Sequence, residues 1–228
     1  MATVLNATTH DLGGLHVKRV LPHQDKKMVG PFIFFDQMGP NDFPAGQGIN
    51  VRPHPHIGLS TLTYLFEGSI LHRDSLGTNV EIHPGDVNWM TAGKGITHSE
   101  RETLEVRANK HSINGLQCWI ALPEHMAELE PSFTHVKKHQ LPHLIHEGIM
   151  MRLIVGEAYG MSSPVKTYSP MFYIDIAASE GSKIDRPHAT QETAIFPISG
   201  KVDINGVTYG EGEFVLLDDT DTEITVME

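Results

Sequence analysis

The sequence predicts an all-β protein of sandwich or barrel type, built as two copies of one β module with a short helical connector. Three observations lead there: short apolar or alternating runs at strand length, turn punctuation between many of them, and an internal repeat relating the two halves. In chain order the runs are "VGPFIFFDQMG", "STLTYLFEG", "SILHRD", "DVNWMTAG", "GLQCWIALP", "GIMMRLIVG", "MFYIDIAA", "TAIFPISGKVDING", "EFVLLDD" and "TEITVME". Pro84-Gly85, Asn114-Gly115, Asn205-Gly206 and Gly210-Glu211-Gly212 read as the turns. The best helix candidate, "PEHMAELEP" from Pro123 to Pro131, is short and bounded by prolines, which suits a connector after the first module.

The repeat sets the domain expectation. Gly48 is followed by five residues and His54-x-His56, then by eleven residues to Gly68; Gly181 is followed by five residues and Pro187-x-Ala189, then by ten to Gly200. Five residues separate Gly85 from Thr91, and five separate Gly212 from Asp218. We therefore expect an N-terminal metal-binding module over 1–135 and a C-terminal module over 136–228 that lacks the ligands. His188 lies one position out of register with the histidine pair, and period-two alternation turns it to the opposite face.

Composition excludes several classes. In 228 residues the hydrophobic fraction is 39%, with 21 Gly and 14 Pro, and no apolar run approaches the roughly 20 residues of a membrane-spanning helix. The formal net charge of −11 opposes a phosphate backbone, so direct nucleic-acid binding is not expected. "HVKRVLPHQDKK" is the densest basic stretch, but Asp25 interrupts it and no aromatic platform accompanies it. The N-terminal segment lacks the features of a secretory signal, which makes the cytoplasm the expected compartment. The single cysteine, Cys118, sits in apolar alternation and reads as a buried, inert thiol. No phosphate-binding glycine loop, G-x-S-x-G elbow or H-E-x-x-H helix occurs.

Chemistry concentrates in "RPHPHIGLSTLTYLFEG" and "GKGITHSE". On an extended strand residues i and i+2 project from one face, so His54 and His56 can converge on one ion. A proline before each histidine biases the backbone toward extended geometry. His98 and Glu100 repeat the spacing. If the strands face one another, they offer three imidazoles and a carboxylate; taken singly, each pair reads equally as surface histidines or a capping Glu. A closed structural zinc site more often uses thiolates, whereas three His and one Glu suit a six-coordinate first-row ion. Iron(II) leads, with manganese, nickel, cobalt, copper or zinc as alternatives. Protonation of the imidazoles is expected to release the metal below roughly pH 6. His72 with Asp74, in "LHRDSLGTN", reads as exposed dressing near a hairpin tip, and Trp89, Met90, Phe172 and Phe196 as core.

"G-x-x-x-x-x-H-x-H" from Gly48 resembles the first cupin motif, and "GDVNWMTAGKGITH" resembles the second with two extra residues before the histidine. Together "VGPFIFFDQMGP", "HPHIGLSTLTYLFEGSILHRDSLG" and "PGDVNWMTAGKGITHSE" resemble the pirin family. The resemblance implies a bicupin whose first barrel holds one iron through His54, His56, His98 and Glu100. Many members of that family carry Arg-Gly-Phe-Glu after the histidine pair. This chain has Ile57, Gly58, Leu59 and Ser60, leaving Glu100 as the sole acidic ligand candidate.

The resemblance implies two functional expectations. One is an oxygenase of the quercetin 2,3-dioxygenase type acting on a flavonol-like small molecule, with Glu100 as ligand and general base. The other is a non-enzymatic iron or redox sensor read by a regulatory protein partner. A monomer is expected, because one chain already supplies two modules.

Overall fold

The structure, a computed structural model, describes residues 2–12 and 14–227. The first part of the chain forms β1 (Thr3–Leu5), β2 (Thr8–Asp11), β3 (His16–Leu21), β4 (Phe32–Phe43), β5 (Asn50–His56), β6 (Leu59–Glu67) and β7 (Ile70–Asp74). It continues through β8 (Asn79–Ile82), β9 (Val87–Thr91), β10 (Ile96–Arg101), α1 (Leu104–Arg107), β11 (His111–Ala121) and β12 (Ser132–Val136). Then come β13 (His143–His146), β14 (Ile149–Ala158), β15 (Met161–Ser162), β16 (Phe172–Ala178) and β17 (Lys183–Asp185). The last strands are β18 (Ala194–Ile195), β19 (Lys201–Ile204), β20 (Val207–Gly210), β21 (Phe214–Leu216) and β22 (Glu223–Val226). No helix among the described residues is long and apolar enough to cross a membrane.

Two compact units divide the chain. One comprises Thr8–Pro22 with Pro31–Gln140; the other comprises the segment ending at Ala7, His23–Gly30 and the chain from Leu141 onward. Two N-terminal segments thus go with the unit that contains the chain from Leu141 onward. β1 explains one of them, since it pairs antiparallel with β21, Val4 opposite Val215.

The first unit has two sheets. Seven strands run in the order β12-β9-β6-β11-β4-β3-β2, and four in the order β5-β10-β7-β8. Alternation along each strand separates an inner from an outer face. At one end Val17, Met38, Ile49, Leu65, Ile70 and Ile113 pack as an apolar core, while the polar inner positions of the same strands lie toward the site described below. β5 is an edge strand. An edge tolerates Pro53 and Pro55, which have no amide proton to donate.

Tertiary contacts override some local signals. Asn114-Gly115 is not a turn but part of β11, at a register shift against β4 and β6. Gly115 is there for close approach: a Cβ would stand 2.6 Å from Leu65 Cδ2 and 2.7 Å from the Tyr64 carbonyl oxygen. The connector expected over Pro123–Pro131 contains only a 3-10 turn, Glu124–Met126. The single α-helix among the described residues is α1, capped where the Thr103 hydroxyl accepts the Val106 N–H at 3.3 Å. Asn205-Gly206 does form the expected two-residue hairpin, with φ of 52° and 81°.

The second unit holds a three-stranded sheet, β1-β21-β18, and two four-stranded ones: β13-β14-β15 with β16 on β14, and β17-β22-β19-β20. "TEITVME" supplies β22, which lies between β17 and β19. Its core gathers Met151, Ile184, Ile204, Tyr209, Val215 and Ile224. Trp89 and Met90 are buried as expected, whereas Phe172 and Phe196 are only partly buried. Ring packing accounts for both, against His188 at 5.5 Å and Phe214 at 6.2 Å.

Candidate metal centre

His54 and His56 lie two apart on β5, and β10 pairs with that strand so that His98 stands opposite His54 and Ile96 opposite His56. The three imidazoles converge, with ring centroids 4.9 Å apart for His54–His56, 4.4 Å for His54–His98 and 5.0 Å for His56–His98. One ring nitrogen from each lies within 4.8 Å of the others, and no other cluster of three or more metal-ligating groups occurs among the described residues. His56 and His98 are buried and His54 is half-buried.

The hydrogen bonds leave nitrogen lone pairs for an ion. His54 Nδ1 lies 2.9 Å from the Arg52 carbonyl oxygen. A carbonyl only accepts, so Nδ1 carries the proton and Nε2 keeps its lone pair. His98 Nε2 is buried with no hydrogen-bond partner. An orphaned buried nitrogen is costly in an ordinary core and is expected of a metal ligand. Burial, aided by the neighbouring His54, pulls His56 down to about 4. Burial, with His54, His72 and His56 nearby, pulls His98 down to about 3. Both rings are neutral at neutral pH, the form that binds a cation. The donor set therefore fits a first-row divalent ion.

Glu100 follows His98 on β10 beyond a register shift and stands opposite Val51 on one side and His72 on the other. The group that converges within 4.8 Å consists of the three imidazoles and does not include its carboxylate. Thr63 Oγ1 lies 3.4 Å from Glu100 Oε1 and 2.8 Å from Gln117 Oε1. Burial pushes the Glu100 carboxyl above its ordinary range, and the nearby His72, His54 and Thr63 only partly offset this.

His72 and Asp74 are not exposed dressing. His72 is buried, and the Asp74 side chain is fully covered. Alternation along β7 turns Ile70, His72 and Asp74 to the same inner face, and that periodicity was the available signal. His72 Nε2 lies 2.9 Å from Asp74 Oδ2, and His72 Nδ1 lies 3.4 Å from His98 Nδ1. Burial pushes the Asp74 carboxyl up, but hydrogen bonds from His72, Thr78 and Leu76 outweigh it and hold the group below its ordinary value.

Facing these residues, the seven-stranded sheet presents an aromatic wall and a polar row. Half-buried Trp119 meets His56 edge-on at 5.0 Å and stacks on Phe34 at 4.1 Å. One register step away, Asp36, Gln117, Thr63, Asn88 and His135 align across β4, β11, β6, β9 and β12. His135 Nδ1 lies 2.7 Å from Asn88 Oδ1, and Arg19 holds Asp36 with two bonds of 2.8 Å. In the second unit His188 instead donates Nε2–H to the Glu157 carbonyl at 2.8 Å.

The sequence profile of the Pirin family matches residues 14–120. A "Pirin-like protein" of Caulobacter vibrioides is 48% identical over 207 residues, which is 89% of this chain and 71% of that one. A crystal structure of quercetin 2,3-dioxygenase from Acinetobacter baumannii superposes with a TM-score of 0.88 at 35% identity, covering 100% of this chain and 75% of that one. The bacterial pirin YhhW of Escherichia coli, solved in complex with nickel(II), shares the fold at a TM-score of 0.77 and 20% identity, over 99% and 94% of the two chains.

Proposed function

The chain belongs to the pirin family, and on that premise we propose that it is a mononuclear metal-dependent dioxygenase of the quercetin 2,3-dioxygenase type, acting on a flavonol or a related enol. The observation that carries the reading is the convergence of three imidazoles, His98 Nε2 among them buried and unpartnered. The likeness to the Acinetobacter enzyme supports the reaction class.

His54, His56 and His98 would hold the metal, and Glu100, whose carboxylate lies outside that converging group, would be the acidic ligand. Nitrogen and oxygen donors without thiolate suit iron(II), the ion taken in this reading, as they do other first-row ions. When bound, the ion supplies a Lewis-acidic, redox-active centre that polarises an enol oxygen.

The protein's own groups do the rest. Burial gives the Glu100 carboxyl a raised proton affinity, which suits it to take the substrate hydroxyl proton. Trp119 offers a flat apolar surface to a planar ring system. Thr63, itself held by Gln117 at 2.8 Å, flanks the other side of the Glu100 carboxyl.

Oxygen uptake by iron-reconstituted protein with a flavonol panel tests the proposal. Uptake by the wild type that disappears in His54→Ala and Glu100→Ala is expected. A wild type that binds iron yet consumes no oxygen with any flavonol or related enol overturns the dioxygenase reading.

A further inference from the structure

Asp74, His72 and His98 form a chain of hydrogen bonds that ends at the candidate metal centre. Asp74 Oδ2 lies 2.9 Å from His72 Nε2, and a carboxylate only accepts, so that nitrogen carries the His72 proton. Neutral His72 then has a lone pair on Nδ1. In that tautomer His72 Nδ1 accepts from the ring nitrogen that faces it, His98 Nδ1–H, at 3.4 Å. A neutral His98 protonated at Nδ1 has its lone pair on Nε2, the buried atom without a partner.

The relay is held at both ends. Asp74 Oδ1 accepts the backbone N–H groups of Leu76 and Thr78 at 2.9 and 3.1 Å, which ties the carboxylate to the β7–β8 turn. Phe133 of β12 stacks on the His72 ring at 4.4 Å and 23°, which fixes its plane. Register reinforces this, since Asp74 stands opposite His98 and His72 opposite Glu100.

We infer that His72, oriented by Asp74, is a positioning residue: it sets the tautomer of His98 and so presents the Nε2 lone pair to the metal. The carbonyl of Arg52 sets the tautomer of His54 in the same way, whereas His98 depends on a side-chain relay. Histidine ligands commonly have their second nitrogen fixed by such a partner, and losing one costs about 10–100-fold in metal affinity. The inference rests on the metal reading of the preceding subsection.

The test combines nitrogen NMR of the metal-free protein with cobalt(II) titration. The wild type is expected to show His98 protonated at Nδ1. His72→Phe keeps a ring against Phe133 but offers no acceptor; it is expected to give mixed His98 tautomers and a cobalt affinity lower by about 10–100-fold, with the His54 tautomer little changed and the melting temperature lowered, because Asp74 loses its buried partner. His72→Gln restores an acceptor and is expected to recover most of the affinity. A wild-type His98 protonated at Nε2 overturns the inference whether or not any variant folds. So does a folded His72→Phe protein with the wild-type tautomer and affinity. A wild type that takes up no cobalt refutes the metal reading alone, because the nitrogen shifts still decide the tautomer.

Discussion

His98 stands directly opposite His54 across the β10–β5 pair, with the two rings 4.4 Å apart. This cross-strand pairing, with His56 two residues along, makes the site a property of sheet register. A one-residue slip would turn the imidazoles to the other face.

Burial of the imidazoles predicts how the metal-free protein responds to acid. His56 at about 4 and His98 at about 3 both lie below the ordinary value of 6.5. Between those values the unfolded chain binds protons that the folded one refuses, so stability rises with pH across the window. It is expected to fall progressively as pH drops below 6.5 toward 4 and 3. Urea midpoints measured at about pH 7 and about pH 5 check this, and His98→Gln should flatten the slope. A wild-type midpoint that does not move would show that these rings are not buried in their neutral form.

Gly48 opens the first motif for a steric reason. A Cβ there would lie 1.7 Å from Glu102 Oε2, and the residue sits at φ +150°. Glu102 cannot easily withdraw, being buried with Oε1 3.0 Å from His111 Nε2. Gly48→Ala is expected to destabilise the fold by about 2–4 kcal/mol through overpacking and backbone strain. Adding Glu102→Ala should recover part of that loss in urea unfolding; a single variant as stable as the wild type would remove the steric account.

Cys118 is fully buried in β11, between β4 and β6. An aromatic disulfide reagent is expected to label it only as fast as the protein unfolds, with labelling accelerating through the urea transition. Rapid labelling of the native protein would place the thiol at the surface.

How much of this was legible follows from which signals are local. Alternation and paired glycines marked most strands, and His54, His56 and His98 could be assigned to one site because period two fixes their parity. His72 and Asp74 obey the same parity, but proximity to a polar hairpin tip suggested exposure, and only the packing of Phe133 and His98 against them shows burial. Asn114-Gly115 carries a turn signature, yet its conformation is decided by contact with Tyr64 and Leu65, about fifty residues earlier in the chain. The pairing of β1 with β21 has no local mark.

The most direct test is X-ray absorption at the metal edge of the iron-loaded protein, alongside binding titrations of the three histidine variants. The account predicts one ion per chain bound by three imidazole nitrogens plus oxygen donors. Each His→Ala change should cost more than the ~100-fold upper range for outer-shell partners. An ion bound by fewer than three imidazoles, or wild-type affinity in any of those variants, would contradict it.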